Sequence, residues 1–341
     1  MYLEKKSLES QEGNDLDILW LSEAEVKLSL TMEETILAVE EAFREHGRGK
    51  AQMPPKSYLY YKKYDGDLRT MPAYLEGLDA TGVKVVNVHP ANPAAGLPTV
   101  MAVVILNSPK TGAPVAMMGG THLTSMRTGA AGAVAAKYLA RKGSRTVGLV
   151  GAGAQARTQL LGLAKTFDIE KVSVADVSLD RCRSFEKDCR RFLDAEYDLS
   201  SDAKDVCNSD ILVTTTPSRK PLVMDEWINE GTHINAIGAD AKGKEELDPA
   251  ILKRSMVVVD DLAQASHSGE VNVPLAKGLI SIEEIRATIG EVVAGKVPGR
   301  SSEEEITVFD SKGLAIQDVA TATRVHQKAL EMGIGTKLPY L

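Results

Sequence analysis

Residues 147–156 read Val-Gly-Leu-Val-Gly-Ala-Gly-Ala-Gln-Ala, an apolar run that leads into the pattern G-x-G-x-x-A. A helix-length segment, residues 157–165, follows it. In a strand–turn–helix unit, Gly151 permits the tight turn, Gly153 lets a pyrophosphate approach the backbone, and Ala156 lets the helix pack closely on the strand. Because free N–H groups at a helix start bind phosphates, this stretch predicts a dinucleotide site.

The next apolar run, residues 171–175, ends at Asp176. This carboxylate lies 25 residues after Gly151, close to the spacing of ~20 residues at which an acidic side chain hydrogen-bonds a ribose diol. A 2′-phosphate would be repelled there, so NAD is the predicted cofactor. Arg181 is near enough in sequence to keep NADP as an alternative.

Apolar runs alternate with helix-length segments from Arg145 onward. This alternation predicts an α/β fold with a doubly wound parallel sheet of the Rossmann type. The preceding region has strand-like runs at 57–61, 82–88 and 100–107, divided by Pro and Gly, and predicts a mixed α/β domain. The runs that predict the parallel strands are 146–150, 172–175, 211–215, 233–238, 256–259 and 306–309.

A length of 341 residues corresponds to about two domains. The helical stripe at 313–332 lies outside the strand–helix alternation and can return to the first region. We therefore expect residues 15–130 and 312–341 to form one domain and residues 131–311 to form the dinucleotide-binding domain. Residues 1–14 are polar, and we expect them to be flexible.

Composition excludes several classes of protein. Forty basic and 47 acidic residues give a formal charge of −7, which argues against nucleic-acid or membrane-surface binding. The three cysteines form no C-x-x-C pair and the histidines have no ligand spacing, so no metal site is predicted. Neither a secretory leader nor a membrane-spanning run is recognisable, and the expected location is cytoplasmic.

Three charged residues stand out against apolar surroundings. Lys84 lies in the run 82–88, where burying an ammonium is costly without an anionic partner. Arg127 is expected at the mouth of an Ala-rich helix, which suits bidentate binding of a carboxylate. Asp240 follows the run 233–238, and such sheets place their ligand chemistry at the carboxyl ends of the strands. Asp240 is therefore a candidate proton carrier, with a turn-capping role as the alternative.

Ten short motifs also follow one another along residues 21–333. They are MPAY at 71–74, KVVN at 84–87, HP at 89–90, GLPTV at 96–100, LTSMRT at 123–128, GAGAQ at 151–155, GAD at 238–240, GK at 243–244, SGE at 268–270 and DSKG at 310–313. Together they resemble the ornithine cyclodeaminase/mu-crystallin family. The resemblance implies a homodimer whose subunits join a Rossmann domain to a substrate-binding and dimerisation domain.

The resemblance also implies roles for individual residues. Lys56, Lys84 and Arg127 correspond to residues that bind the carboxylate or the reacting group of a small amino or 2-oxo acid. Asp240 corresponds to the catalytic acid/base. The implied cofactor contacts are Thr99, Arg127, Gly151, Gly153, Ala154, Gln155, Asp176, Thr216, Asn235, Ala236, Ile237 and Ser311.

Arg69 distinguishes activities within the family. Cyclodeaminases tend to carry a glutamate two residues before the Met-Pro, as a partner for the second amine of the substrate, whereas this chain has Arg69. An arginine would repel the δ-ammonium of ornithine and favour a carboxylate. The archaeal-type alanine dehydrogenases of the family carry a Lys at the position of Lys56 and an Arg at that of Arg69. The resemblance therefore implies NAD-dependent interconversion of L-alanine with pyruvate and ammonia.

In that reaction Arg69, Arg127 and Lys56 would fix the substrate carboxylate. Lys84 would stabilise charge on the carbonyl oxygen, and Asp240 would shuttle the proton. One alternative is reduction of a cyclic ketimine such as pyrroline-2-carboxylate, or cyclodeamination of ornithine. Another is a binding protein of the mu-crystallin type that holds a nucleotide and a small ligand without turnover.

Overall fold

A computed structural model describes residues 16–340 of the chain. Two eight-stranded sheets form its framework, and two further short strands pair with each other. The segment expected to be flexible, residues 1–14, lies outside the described residues. Among the described residues, no helix is long and apolar enough to cross a membrane.

One sheet is parallel throughout and confirms the predicted doubly wound α/β class. It contains all six predicted strands and adds one strand at each edge. The added strand Ile285–Thr288 alternates buried with more exposed positions, and the added strand Glu196–Ser200 has only half-buried and exposed ones, which is why no continuous apolar run marks them. In spatial order the strands are β10 (Glu196–Ser200), β9 (Lys171–Ala175), β8 (Thr146–Val150), β11 (Ile211–Thr214), β13 (His233–Ala236), β17 (Thr307–Asp310), β15 (Met256–Val259) and β16 (Ile285–Thr288).

The other sheet is antiparallel except where β1 pairs with β7. In spatial order it contains β18 (Thr336–Pro339), β1 (Asp17–Leu21), β7 (Pro114–Gly119), β6 (Val100–Asn107), β5 (Ala80–Val88), β4 (Gly66–Leu75) and β2 (Ala51–Gln52), while β3 (Ser57–Tyr61) also pairs with β4. The separate pair consists of β12 (Arg219–Val223) and β14 (Glu245–Leu247).

The longest strand, β4, was not predicted because Pro72 interrupts its sequence. On the edge opposite β5, β3 ends its pairing at Thr70 and β2 begins at Tyr74. Pro72 lies in the gap between those two partners, where a residue without an N–H group is tolerated. This strand carries Arg69. Because Pro72 interrupts the pattern, the sequence did not show that this predicted site residue lies in a strand.

Helices cover both sheets and connect them. The helices are α1 (Glu23–Leu28), α2 (Met32–Gly47), α3 (Thr121–Leu139), α4 (Ala154–Ala164), α5 (Leu179–Cys189), α6 (Pro249–Lys253), α7 (Leu262–Ala265), α8 (Asn272–Ala276), α9 (Ile289–Val293) and α10 (Ala315–Met332). The last helix, α10, packs on α2, α3 and one face of β4 and β5. α3 also packs on α4 and so runs across the expected domain boundary between residues 130 and 131.

Candidate active site

A cavity of about 360 Å³ lies where the inner face of β4 and β5 meets the carboxyl ends of β11, β13 and β17. In parallel sheets this end of the strands is where ligands bind. Its wall carries ten of the residues predicted for the site: Lys56, Arg69, Lys84, Thr99, Arg127, Gln155, Thr216, Ile237, Asp240 and Ser311.

The cavity wall is strongly cationic. Lys244 and Lys312 join Lys56, Arg69, Lys84 and Arg127 on it, and Asp240 is the single carboxylate among the lining residues. A wall of this kind suits a small anion, and planar guanidinium groups suit a carboxylate in particular.

Lys84 and Arg127 share one buried carboxylate. Asp318 on α10 is fully buried, and its Oδ1 accepts hydrogen bonds from Lys84 Nζ at 2.7 Å and from Arg127 Nε at 2.9 Å. The C-terminal helix therefore supplies the anionic partner that a buried Lys84 requires. Burial is the main cause that lowers the pKa of Lys84 to about 7, with Arg127 adding to the shift and Asp318 opposing it.

Arg127 lies in the second turn of α3, which begins at Thr121, and not at the mouth of the helix as expected. Its Nη1 donates to Gln317 Oε1 at 2.9 Å. A glycine makes room for the guanidinium: Gly313 has a φ of +73°, and a Cβ there would lie 2.3 Å from Arg127 Nη1. The position of Arg127 thus depends on residues from the C-terminal part of the chain.

Arg69 is held by two carboxylates. Its Nε and Nη2 donate to Asp67 at 2.8 and 3.0 Å, and its Nη1 donates to Asp240 Oδ2 at 3.3 Å. The ring of Tyr58 lies 5.4 Å from the guanidinium carbon. Burial disfavours the charge, but Asp67 and Asp240 outweigh it and raise the pKa of Arg69 above its ordinary value. A substrate carboxylate would compete with Asp240 for Nη1.

Asp240 follows β13 and faces the cavity. Its Oδ1 accepts a hydrogen bond from Lys244 Nζ at 2.5 Å, and its Oδ2 faces Arg69. Burial alone would raise the pKa of Asp240, but Lys244, then Arg69, lower it below its usual value. The side chain is therefore a carboxylate at neutral pH, and it is 38% exposed. Ionisation and access to the cavity allow this group to accept a proton, while its lowered pKa makes it a weak base as long as both cations contact it.

Lys56 contacts a neutral group. Its Nζ donates to the carbonyl of Lys312 at 2.6 Å. The buried Asp260 accepts hydrogen bonds from the N–H groups of Lys312 and Gly313, at 2.6 and 2.9 Å, and so fixes that loop. Burial lowers the pKa of Lys56 to about 8, although Asp260 opposes the shift. An anion in the cavity would stabilise this ammonium.

The loop after β8 has the geometry that a dinucleotide requires. Gly151 has a φ of +98°, and a Cβ there would lie 2.9 Å from Thr215 Oγ1. A Cβ on Gly153 would meet nothing within 4 Å, so a phosphate has room to approach the backbone. α4 begins at Ala154, three residues earlier than predicted. Within the described chain, Gln155 Oε1 is buried without a hydrogen-bond partner and lines the cavity.

Asp176 lies at the end of β9, beside the glycine loop. Its Oδ2 accepts a hydrogen bond from the N–H of Ala152 at 3.1 Å, and its Oδ1 accepts one from the N–H of Ser178 at 3.0 Å. Arg181 Nη1 is 3.8 Å from Oδ1. The carboxylate is thus fixed where the ribose next to a pyrophosphate would lie. These residues fit NAD.

Asn235 and Ala236, predicted as cofactor contacts, lie inside β13 and are buried. Asn235 Nδ2 donates to the carbonyl of Gly132 at 3.1 Å, and its Oδ1 lies 3.1 Å from His233 Nε2. The side chain therefore joins β13 to α3 and does not line the cavity. Ile237, the residue that follows, does line it.

Several buried carboxylates behind the cavity had no role in the sequence-based prediction. Glu246 accepts hydrogen bonds from the N–H groups of Thr216 at 2.6 Å and Gly238 at 2.9 Å, which ties together the loops after β11 and β13. Glu270 accepts one from the N–H of Glu246 at 2.8 Å, and Asp310 accepts one from the N–H of Glu270 at 2.8 Å. The sequence feature that could have identified these residues is an acidic residue beside an apolar run, as in Val-Phe-Asp at 308–310.

The model of the ornithine cyclodeaminase/mu-crystallin family matches residues 17–333. The chain belongs to this family. The resemblance predicted from the motifs is therefore confirmed, and it covers almost the whole chain.

Relatives within the family have several activities. Alanine dehydrogenase from Archaeoglobus fulgidus is 54% identical over 326 residues, which cover 95% of this chain and 99% of that one. A solved archaeal alanine dehydrogenase dimer with bound NAD has a TM-score of 0.92 at 53% identity, covering 96% of this chain and all of that one. The Δ1-pyrroline-2-carboxylate reductase of Thermococcus litoralis, solved with NADH and L-proline, has a TM-score of 0.91 at 42% identity, covering 94% and 100%.

Proposed function

We propose that this protein is an alanine dehydrogenase that interconverts L-alanine with pyruvate and ammonia. At the coarser level it is an NAD-dependent oxidoreductase, in keeping with the dehydrogenases and reductases of the family and their NAD-bound structures. The choice of substrate depends on one observation: Arg69 lies on the cavity wall beside Asp240. The δ-ammonium of ornithine would meet a guanidinium there, whereas a 2-oxo acid would meet a favourable charge.

The cofactor is assigned to the loop after β8 and the adjacent cavity wall. When bound, NAD accepts or supplies the hydride. Gly151, Gly153 and Ala154 would bind the pyrophosphate through backbone groups, and Asp176 would bind the ribose. Further proposed contacts are Thr99, Arg127, Gln155, Thr216, Ile237 and Ser311, with Asn235 and Ala236 contributing backbone only.

The substrate carboxylate is assigned to the cations nearest the cavity. Within residues 16–340, the hydrogen bond of Lys56 Nζ is to a neutral carbonyl, and Arg69 can exchange Asp240 for the substrate. Together with Arg127 they would hold the carboxylate so that one face of the reacting carbon meets the nicotinamide. Lys84 would donate to the oxygen of the carbonyl or carbinolamine.

Asp240 is assigned the proton transfer. In alanine oxidation its carboxylate would take a proton from the substrate amine or a bound water, and in the reverse direction it would return one. Lys244 holds the other carboxylate oxygen and keeps the group ionised between turnovers. Binding of a substrate carboxylate to Arg69 would neutralise one of the charges that lower the pKa of Asp240. The pKa of Asp240 would then rise, and Asp240 would become a better base.

Reduction of Δ1-pyrroline-2-carboxylate is the second candidate, since reductases of that name are 42% and 33% identical to this chain. The assay follows NADH absorbance with pyruvate plus ammonium and with pyrroline-2-carboxylate, and ammonia release from ornithine. We expect the highest kcat/KM with pyruvate plus ammonium. Turnover with ornithine alone would overturn the assignment of Arg69. NADH binding without turnover of any substrate would favour a binding protein.

We also propose a homodimer formed through the outer face of the mostly antiparallel sheet, the face of β5, β6 and β7 that points away from the cavity. That face carries half-buried apolar side chains on neighbouring strands, namely Val83, Val85, Val103, Ile105 and Met117. A surface of this kind is typical of a protein interface, and the related archaeal enzyme is described as a dimer. Light scattering should give the mass of two chains, and Ile105→Glu should halve it. A monomeric wild type would refute the proposal.

A further inference from the structure

The C-terminal helix brings a carboxylate to two cations that are remote in sequence. Asp318 lies 234 residues after Lys84 and 191 residues after Arg127, yet one oxygen accepts hydrogen bonds from both. Its other oxygen, Oδ2, is buried without a hydrogen-bond partner among residues 16–340. A buried ion pair is weak evidence for stability, because well-packed apolar residues often stabilise a core as well or better.

The balance of charge around Lys84 points to another reason for the carboxylate. Three charged groups act on Lys84: Asp318 from α10, Arg127 from α3, and Lys56 from the segment before β3. The strand residues directly opposite Lys84 are apolar, Met71 on β4 and Val104 on β6. Asp318 is the only anion of this group. Without it, three cations would share a buried space, and the one that can lose a proton most easily is a lysine.

We propose that Asp318 is a positioning residue that keeps Lys84 protonated and aimed at the substrate oxygen. It also holds Nε of Arg127, while Gln317 holds Nη1, which leaves Nη2 for the substrate carboxylate within the described part of the chain. This inference rests on the proposed function, in which Lys84 donates to the reacting oxygen.

The test is the pH profile of Asp318→Asn, a nearly isosteric change that removes the charge. The measured quantity is kcat/KM for pyruvate with NADH, with total ammonium adjusted so that free ammonia stays constant at every pH. Activity should fall on the alkaline side as Lys84 loses its proton. Because an opposite charge at contact distance shifts a pKa by about one to three units, the alkaline limb should move to lower pH by that amount. The KM for pyruvate should rise as well.

Gln317→Met provides the matched control. Gln317 is as deeply buried as Asp318 and also contacts Arg127, but it is neutral. This variant should raise the KM for pyruvate and leave the alkaline limb where the wild type has it. NADH affinity, measured by fluorescence titration, and thermal unfolding report whether each variant is folded.

Lys84→Arg tests the same inference without changing Asp318. A guanidinium stays charged across the range, so the alkaline limb of Lys84 should disappear and leave only that of Lys56 at higher pH. Adding Asp318→Asn to this variant should produce no further shift. A wild-type limb that persists in Lys84→Arg, or stays in place in folded Asp318→Asn, overturns the inference. Absence of wild-type turnover with pyruvate and ammonium instead overturns the proposed function, and the profile is then measured with pyrroline-2-carboxylate.

Discussion

The two halves of the candidate site differ in how their residues are distributed along the chain. The glycine loop and Asp176 come from one strand–helix–strand unit, residues 146–176, and its turn geometry follows from that short stretch. The second half is the cation cluster, which we define as Lys84 and Arg127 together with their shared carboxylate Asp318. These residues come from a strand and two separate helices. The first half is therefore specified by local sequence, whereas the second exists only once the chain has folded. Substitutions in the first half should therefore weaken the binding of NADH, whereas substitutions in the second half should raise the KM for pyruvate.

Asp240 lies between the two halves, and its substitution should have the largest effect. Asp240→Asn keeps the shape of the side chain but removes the proton acceptor, so kcat should fall by about 10²–10⁴-fold. NADH affinity should stay within about twofold of the wild type, since the loop after β8 is untouched. Steady-state kinetics and NADH titration check both.

Asp67→Asn is the control for Asp240→Asn. Asp67 also pairs with Arg69 but has no assigned proton transfer, so its loss should raise the KM for pyruvate and largely preserve kcat. If Asp240→Asn retained near-normal turnover with intact NADH binding, its role as acid/base would be wrong.

In the local half, Gly151→Ala should weaken NADH binding by about five- to a hundredfold, because a left-handed φ costs an alanine about 1–3 kcal/mol. The new Cβ would also contact Thr215. The variant should therefore melt at a lower temperature. Gly153→Ala is the matched control: its Cβ would occupy open space, so it should lose NADH affinity but keep its melting temperature. Equal destabilisation of both variants would contradict this account of the loop.

The same contrast explains how much was predictable from sequence. The parallel strands and the dinucleotide loop were predictable because each is marked by a short contiguous pattern, an apolar run for a strand and G-x-G-x-x-A for the loop. From its local sequence, Lys84 was recognisable only as a charge that needed a partner, since Lys84 lies in a strand and Asp318 lies far along the chain in α10. The pairing of Arg69 with Asp240 was not predictable, because it requires β4 and the loop after β13 to meet. The pairing with Asp67, two residues away on β4, was missed because β4 itself was not predicted.

In the non-local half, Gly313→Ala should raise the KM for pyruvate by about tenfold, equivalent to about 1.4 kcal/mol, and leave NADH affinity unchanged. The reason is that a Cβ at Gly313 would displace Arg127 Nη1. Gly333→Ala is the control at the other end of α10: its φ is +66°, but nothing lies within 4 Å of the Cβ. That variant should lose stability only. An unchanged KM in Gly313→Ala would show that Arg127 is not placed by this loop.

The smallest effect is expected at Asp176, where the cost is a pair of ribose hydrogen bonds at the edge of the local half. Asp176→Asn should weaken NADH binding by about three- to tenfold, in line with about 1 kcal/mol for a lost hydrogen bond. Binding of NADPH should improve relative to NADH, because the carboxylate no longer repels the 2′-phosphate. Arg181→Gln serves as the control, since Arg181 lies 3.8 Å from Asp176 and would attract that phosphate. Its loss should favour NADH further. If the ratio of NADH to NADPH affinity stayed unchanged in both variants, this strand end would not determine the choice of cofactor. The KM for pyruvate should stay constant in both variants, because the cation cluster is built from other segments.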